Sequence, residues 1–381
     1  MLCFNYPARG AAFTAHGVCG RHRAGYPGER MRIVVTGATG NVGTSVVQAL
    51  AGDARVEEIV GLARRLPALT SPRTRWVQAD IVRDPLEPHF AGADAVIHLA
   101  WAIQPSRDAA TLAAINVEGS RRVFEAAAAA GAGALVHASS VGVYSRGPKD
   151  RRVDEDWPRD GIPSSFYSRH KAAAERALDA VEAAHPELRA VRLRPGLIFK
   201  REAASEIRRL FIGPLLPSPL IHRRLIPLVP RTPGLAFQAV HAADVAEAYR
   251  LAALSADARG AYNVAAEPVL DPAELARLLG ARQVGVPARV LRTAASAAHR
   301  LRLQPTPPGW LDLGLGVPLM DITRAREELG WSPRHDAGTA LLELLEGLRD
   351  RAGAGTPPLD PGAGGPGRIR EFLTGIGGRN P

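Results

Sequence analysis

Tyr167 and Lys171 stand four residues apart in the run YSRHKAAAERAL, at a spacing that places both side chains on one face of a helix. A lysine ammonium beside a phenol stabilises the phenolate and draws a pKa near 10 toward the working range of a general acid or base. The run ALVHASS ends in Ser139 and Ser140, whose hydroxyls can hydrogen-bond a substrate carbonyl while the phenol exchanges a proton. Lys171 is one of only three lysines, with Lys149 and Lys200, in a chain that otherwise uses arginine. A compact point charge that tunes its neighbour is a reason to keep lysine there.

These groups need a scaffold, and the stretch Met31 to Leu50 predicts one that also binds a ligand. The apolar run Ile33 to Val35 leads into Gly37, Gly40 and Gly43, after which apolar residues take helical spacing at Val42, Val46, Val47 and Leu50. That is strand, tight turn, helix. Such a turn lets backbone approach a diphosphate, which the free N–H groups and positive dipole end of the helix favour. A dinucleotide is the expected ligand.

Strand and helix patterns alternate onward: Val56 to Arg65, Thr74 to Ile81, Asp94 to Trp101, a helix from about Ala109 to Ala130, then Ala134 to Ser140. A helix over Tyr167 to Leu178, a strand over Leu188 to Pro195, a helix within Val240 to Leu254 and a strand over Ala261 to Ala266 follow. Strands separated by helical segments imply crossover connections, so the fold class is α/β with a doubly wound parallel sheet and a smaller C-terminal substrate-binding lobe. The dinucleotide domain is expected over 31–195 with returning segments near 236–266. The lobe takes 196–235 and 267–350. Residues 1–30 are expected to be an upstream extension, disordered or absent from the natural product, and 351–381 a disordered tail rich in Gly and Pro. Met31 sits directly before the first strand.

The chain of 381 residues carries a formal charge of +10, of which residues 1–30 hold four Arg against one Glu. No aromatic-basic motif accompanies that charge, so nucleic acid is not an expected partner. Cys3 and Cys19 both precede the first strand, leaving no disulfide framework or thiolate metal site for the core and a reducing cytoplasm as the default compartment. No apolar run reaches the roughly 18 residues of a spanning helix, so stable membrane insertion is not expected. The basic amphipathic stretch Ala288 to Leu303 is expected to pack on the small lobe, with membrane-surface contact as its alternative.

Taken together, TGATGNVG, the ADI around Asp80, HLA at His98 to Ala100, INVEGSRRV around Asn116, SSVGVY from Ser139, YSRHK from Tyr167, RPG from Arg194, VHAADVAEA near Asp244 and the late ELGWSP resemble the extended short-chain dehydrogenases/reductases, the NAD-dependent epimerase/dehydratase family. The resemblance covers roughly 31–350. It implies that Ser140 is the catalytic hydroxyl rather than Ser139, that Tyr167 is the acid/base, and that Lys171 binds the nicotinamide ribose while assisting Tyr167. It implies that Asn116 supports a water or backbone link to the lysine, and that His98 is structural. The cofactor would be bordered by Gly37, Thr39, Gly40, Asn41, Val42 and Gly43, by Arg64 and Arg65, by Asp80 and Ile81, by Leu99 and Ala100, and by Pro195 with Tyr167 and Lys171.

One departure bears on the cofactor. Relatives that use NAD carry an acidic residue at the end of the second strand. Here Ala63 stands there, followed by Arg64 and Arg65, whose guanidinium groups suit a 2′-phosphate. NADP is therefore favoured over NAD. SSVGVYSRG offers no Asp-Glu pair of the kind dehydratases use, which disfavours dehydration. The expected function is oxidoreduction or epimerisation at a carbinol or ketone carbon of a nucleotide-sugar-type substrate, and some of Arg201, Arg208, Arg209, Arg223, Arg224 and Arg231 are candidates to bind its diphosphate. Alternatives are reduction or dehydrogenation of an apolar alcohol or ketone, steroid or flavonoid-like, and a non-catalytic dinucleotide sensor. The expected partner is a small molecule, and a homodimer is the assembly left open.

Overall fold

Valine and isoleucine runs without polar alternation suit strands covered on both faces, and they build the centre of the protein. The computed structural model describes residues 30–103, 108–212, 218 and 221–362. β1 (Met31–Thr36), β2 (Val56–Ala63), β3 (Thr74–Gln78), β4 (Ala95–His98), β5 (Ala134–Ala138), β6 (Arg189–Pro195) and β7 (Gly260–Val264) form one parallel sheet in the order β7-β6-β5-β4-β1-β2-β3. The doubly wound expectation is met. Strand order reverses between β1 and β4, which opens a crevice beyond their carboxyl ends where such sheets take their ligands.

Because successive strand residues face opposite sides, each strand feeds two cores. Ile33, Val35, Ile97, Val136 and Val191 pack with Val46, Val47 and Leu50 of α1 (Asn41–Ala51) on one face. Val34, Val60, Val96, Leu135 and Ala190 pack on the other with Val123 and Phe124. Each buried Val, Leu, Ile or Phe side chain among these stabilises the fold by about 1.5–3 kcal/mol.

α2 (Ala109–Ala113) runs through a π-helical turn (Ala114–Glu118) into α3 (Gly119–Ala129). The wide turn re-aims one residue, and Asn116 points inward, fully buried. α4 (Phe166–Ala184) carries Tyr167 and Lys171 and is capped by Ser165, whose hydroxyl accepts from the Ser168 N–H. α5 (Ala242–Leu254) returns to the α1 face of the sheet, where Val245 and Tyr249 complete the core.

The smaller lobe holds α6 (Pro272–Leu279), α7 (Ala288–Arg300) and α8 (Gly309–Gly316), with a parallel pair formed by Leu228–Arg231 and Arg282–Gly285. α9 (Thr323–Leu329) returns the chain to β7, and α10 (Ala337–Asp350) packs on the parallel pair formed by Leu197–Phe199 and Ala239–His241. Trp331 between them is fully buried and donates its indole N–H to Asp244 O at 2.7 Å.

The tail departs from expectation at its start. Residues 351–362 fold back on the body: Leu359 is fully buried, and the Ala68 N–H donates to Gly355 O at 3.0 Å. The Gly and Pro content of that segment hid a single apolar anchor. Residues 363–381 and the extension 1–29 lie outside the described residues.

Candidate active site

β1 delivers the chain to Gly37 at φ +71°, where a Cβ would sit 2.6 Å from the Ala100 nitrogen. A Cβ on Gly43 would sit 2.3 Å from Gly37 O, so packing of the turn itself requires both glycines. Gly40 differs: its Cβ would meet only Gly37 O, at an ordinary 3.5 Å, so the turn leaves an opening there wide enough for a methyl group. Directly after it, α1 begins with no side-chain cap and no acidic residue in its first turn. The leading N–H groups of Asn41, Val42 and Gly43 and the positive helix end therefore face that opening. Asn41 Oδ1 is buried there without a partner among the described residues. Open backbone, unspent donors and a positive dipole fit a dinucleotide diphosphate.

The other expected binding residues lie along the same carboxyl edge. Arg64 and Arg65 follow β2 and are exposed, and Gln78 Nε2 donates to Arg64 O at 3.1 Å. Asp80 follows β3 and accepts the Val82 N–H at Oδ1, 2.9 Å, beside buried Ile81. The Leu99 N–H donates to Thr36 O at 3.0 Å, which holds Leu99 and Ala100 against the glycine turn. Thr39 is buried within that turn and Pro195 ends β6.

Ser140, Tyr167 and Lys171 converge at the end of β5. Ser140 Oγ accepts the Gly142 N–H at 3.0 Å and lies close enough to the Tyr167 phenol to favour its ionised form. Burial outweighs that effect and pushes the phenol up to about 12. Lys171 is buried; its Nζ donates to Ala138 O at 2.6 Å and sits 5.7 Å from the Tyr167 ring centre. Burial drives its pKa well below the ordinary lysine value, and Glu175 opposes that shift.

The constellation belongs to a sequence whose residues 33–265 match the model of the NAD dependent epimerase/dehydratase family. The chain belongs to that family. An uncharacterized protein of Mycobacterium tuberculosis is 29% identical over 328 residues, 85% of this chain and 31% of that protein. The chain thus spans about a third of the length of the curated relatives of this kind. The dTDP-glucose 4,6-dehydratase of Streptomyces niveus is 27% identical over 337 residues, covering 84% of this chain and 93% of that enzyme. The structure of Thermus thermophilus UDP-glucose 4-epimerase in complex with NAD superposes with a TM-score of 0.60 at 23% identity, over 84% of this chain and 99% of that one.

Within this epimerase/dehydratase-family site, other side chains do work that sequence reasoning missed. The ammonium of Lys171 lies 3.4 Å above the ring centre of Trp101. Trp310 of α8 packs on Tyr167 at 4.9 Å between ring centres, and Phe166 and Phe211 meet Trp310 edge-on. Trp101 follows HLA directly, but no spacing rule connects Trp310 to a residue so far upstream.

The side chain of Asn116 clamps the loop after β4: its Oδ1 accepts the Ala102 N–H at 2.7 Å and its Nδ2 donates to Ala102 O at 3.0 Å. His98 is buried between Thr36 Oγ1 at 2.7 Å and Ser120 Oγ at 2.9 Å, and burial holds its pKa down to about 3. The arginines of the lobe are committed elsewhere in part: Arg208 donates to Ser218 Oγ at 2.8 Å, Arg209 to Pro358 O, and Arg201 pairs with Asp350 at 2.8 Å.

Proposed function

We propose that this protein catalyses oxidoreduction at a carbinol or ketone carbon, with Ser140, Tyr167 and Lys171 as its catalytic residues. The observation that carries the reading is their convergence at the sheet's carboxyl edge beside the glycine turn. When bound, a nicotinamide dinucleotide supplies the acceptor and donor of hydride. Ser140 Oγ holds the substrate oxygen, and Tyr167 Oη takes its proton as the carbinol is oxidised or returns it as the ketone is reduced. Lys171, as a cation, makes the phenolate less costly and reaches the ribose. The helix start at Asn41 and Val42 binds the diphosphate. Arg64 and Arg65, with no carboxylate at Ala63, support NADP over NAD.

A nucleotide sugar is the substrate class supported by the names of the relatives, a dTDP-glucose dehydratase and a UDP-glucose epimerase. A second reading, an apolar alcohol or ketone, is favoured by the aromatic wall of Trp101, Trp310, Phe166 and Phe211 at Tyr167. The test is incubation of the purified protein with NADP(H) or NAD(H) and a panel of nucleotide sugars, steroids and small ketones. Reduced-nicotinamide absorbance and product stereochemistry are followed together. Inversion at carbon without net absorbance change identifies an epimerase, and a net change identifies a reductase or dehydrogenase. Dinucleotide binding with no conversion of any compound would favour a sensor.

A further inference from the structure

From residue 275 to 311 the chain holds six arginines and no Asp or Glu. α7 lies within that stretch, and its side chains, with those from residue 281 to 304, are all half-buried or exposed. Ala288, Leu291, Ala295 and Ala298 turn toward the lobe and are half-buried. The outward side is divided lengthwise. Arg289, Arg292, Ser296 and Arg300 follow one another at helical spacing and line, with Thr293 and Ala297, a groove of about 380 Å³. Val290, Ala294, Ala297 and Leu301 make a parallel apolar row. Val290 is 51% exposed, Leu301 69% and Leu303 50%. The expected packing on the lobe therefore occupies only one side of α7.

We propose that this outer face docks the protein on an anionic lipid bilayer. A helix that pairs an arginine row with an exposed aliphatic row lies in the plane of a lipid interface, the guanidinium groups on the headgroups and the aliphatic residues in the acyl boundary. Arg289, Arg300 and Arg302 have no acidic partner among the described residues, so their charge is available to such a surface. Nucleic acid would use the arginines but not Val290, Leu301 and Leu303, and no Phe, Tyr or Trp stands between 281 and 304 to offer a base a stacking surface. Arg292 pairs with Asp312 at 2.8 Å, two residues from Trp310, which packs on Tyr167. The docked helix thus adjoins the wall of the catalytic site.

The test is co-sedimentation of the full chain with vesicles of three parts phosphatidylcholine to one part phosphatidylglycerol, and with vesicles of phosphatidylcholine alone. The protein is expected to pellet with the anionic vesicles only and to be released by salt. Arg289→Glu/Arg300→Glu should weaken binding to the anionic vesicles about tenfold or more at low salt, and Val290→Asp/Leu301→Asp should weaken it at the same low salt by removing the aliphatic contribution. All four positions are exposed, so thermal unfolding of both variants should match the parent. Failure to pellet, or variants that bind as the parent does, would overturn the proposal. So would retention of duplex DNA that is indifferent to Val290→Asp/Leu301→Asp, or a loss of self-association in the arginine variant without any vesicle binding by the parent.

Discussion

Lys171 and Glu175, one turn apart on α4, grip two consecutive residues at the end of β5. Lys171 Nζ donates to Ala138 O at 2.6 Å, and Glu175 Oε1 accepts from Ser139 Oγ at 2.5 Å. The helix is thereby fixed to the strand end, and Ser140, the next residue, is presented to Tyr167. This spends the hydroxyl of Ser139 on structure and leaves that of Ser140 for the phenol. Glu175 is held in turn by Arg194, whose Nε and Nη2 donate to its two oxygens at 2.9 and 2.6 Å.

Glu175→Gln should therefore act in two ways. Leaving Arg194 buried without its carboxylate costs about 3–5 kcal/mol, readable as a lower denaturant midpoint. It also removes the negative charge that opposes the burial shift of Lys171, so the alkaline fall of the rate should move to lower pH. Loss of stability with an unmoved alkaline limb would show that Glu175 only holds the fold.

The glycines of the turn separate folding from binding. Gly43→Ala forces a methyl against Gly37 O and Ala38 backbone and should unfold or strongly destabilise the protein. Gly40→Ala meets only ordinary contact, so thermal stability should change little while dinucleotide affinity falls at least about tenfold. Tight binding by a folded Gly40→Ala variant would place the diphosphate elsewhere.

Acid should weaken the fold through its buried histidines. The folded-state pKa of His98 is depressed to about 3 by burial, and that of His137 lies well below its ordinary value for the same reason. An unfolded histidine binds a proton below about pH 6.5 while the folded one does not, so stability is present above that pH and lost as pH falls toward 3. At pH 5 the loss is about 2 kcal/mol for His98, and His137 adds to it in the same direction. Urea midpoints at pH 7 and pH 5 measure it, and equal midpoints would contradict it.

The sheet was legible in the sequence because its strands are unbroken apolar runs, and the turn because glycine spacing there has a steric cause. Tyr167 and Lys171 were legible for the same local reason, a spacing of four on one helix. Asn116 was not, since a π turn that cannot be read from periodicity changes where it points. Trp101, from the loop after β4, and Trp310, from the lobe, meet Tyr167 only through the tertiary arrangement. The rarity of lysine proved a marker of burial as much as of chemistry: half-buried Lys149 and buried Lys200 also donate to backbone carbonyls, Ala236 O at 2.6 Å and Asn41 O at 2.8 Å. The single anchor Leu359 was masked by surrounding Gly and Pro.

The central claim is that the phenol of Tyr167 moves the substrate proton while the turn at Gly37 to Gly43 holds the dinucleotide independently of it. Turnover of Tyr167→Phe on any compound the parent converts, with dinucleotide affinity titrated in the same samples, tests it most directly. The account predicts turnover lower by about 10² to 10⁴ with affinity retained. A Tyr167→Phe protein that turns over at the parent rate would contradict it.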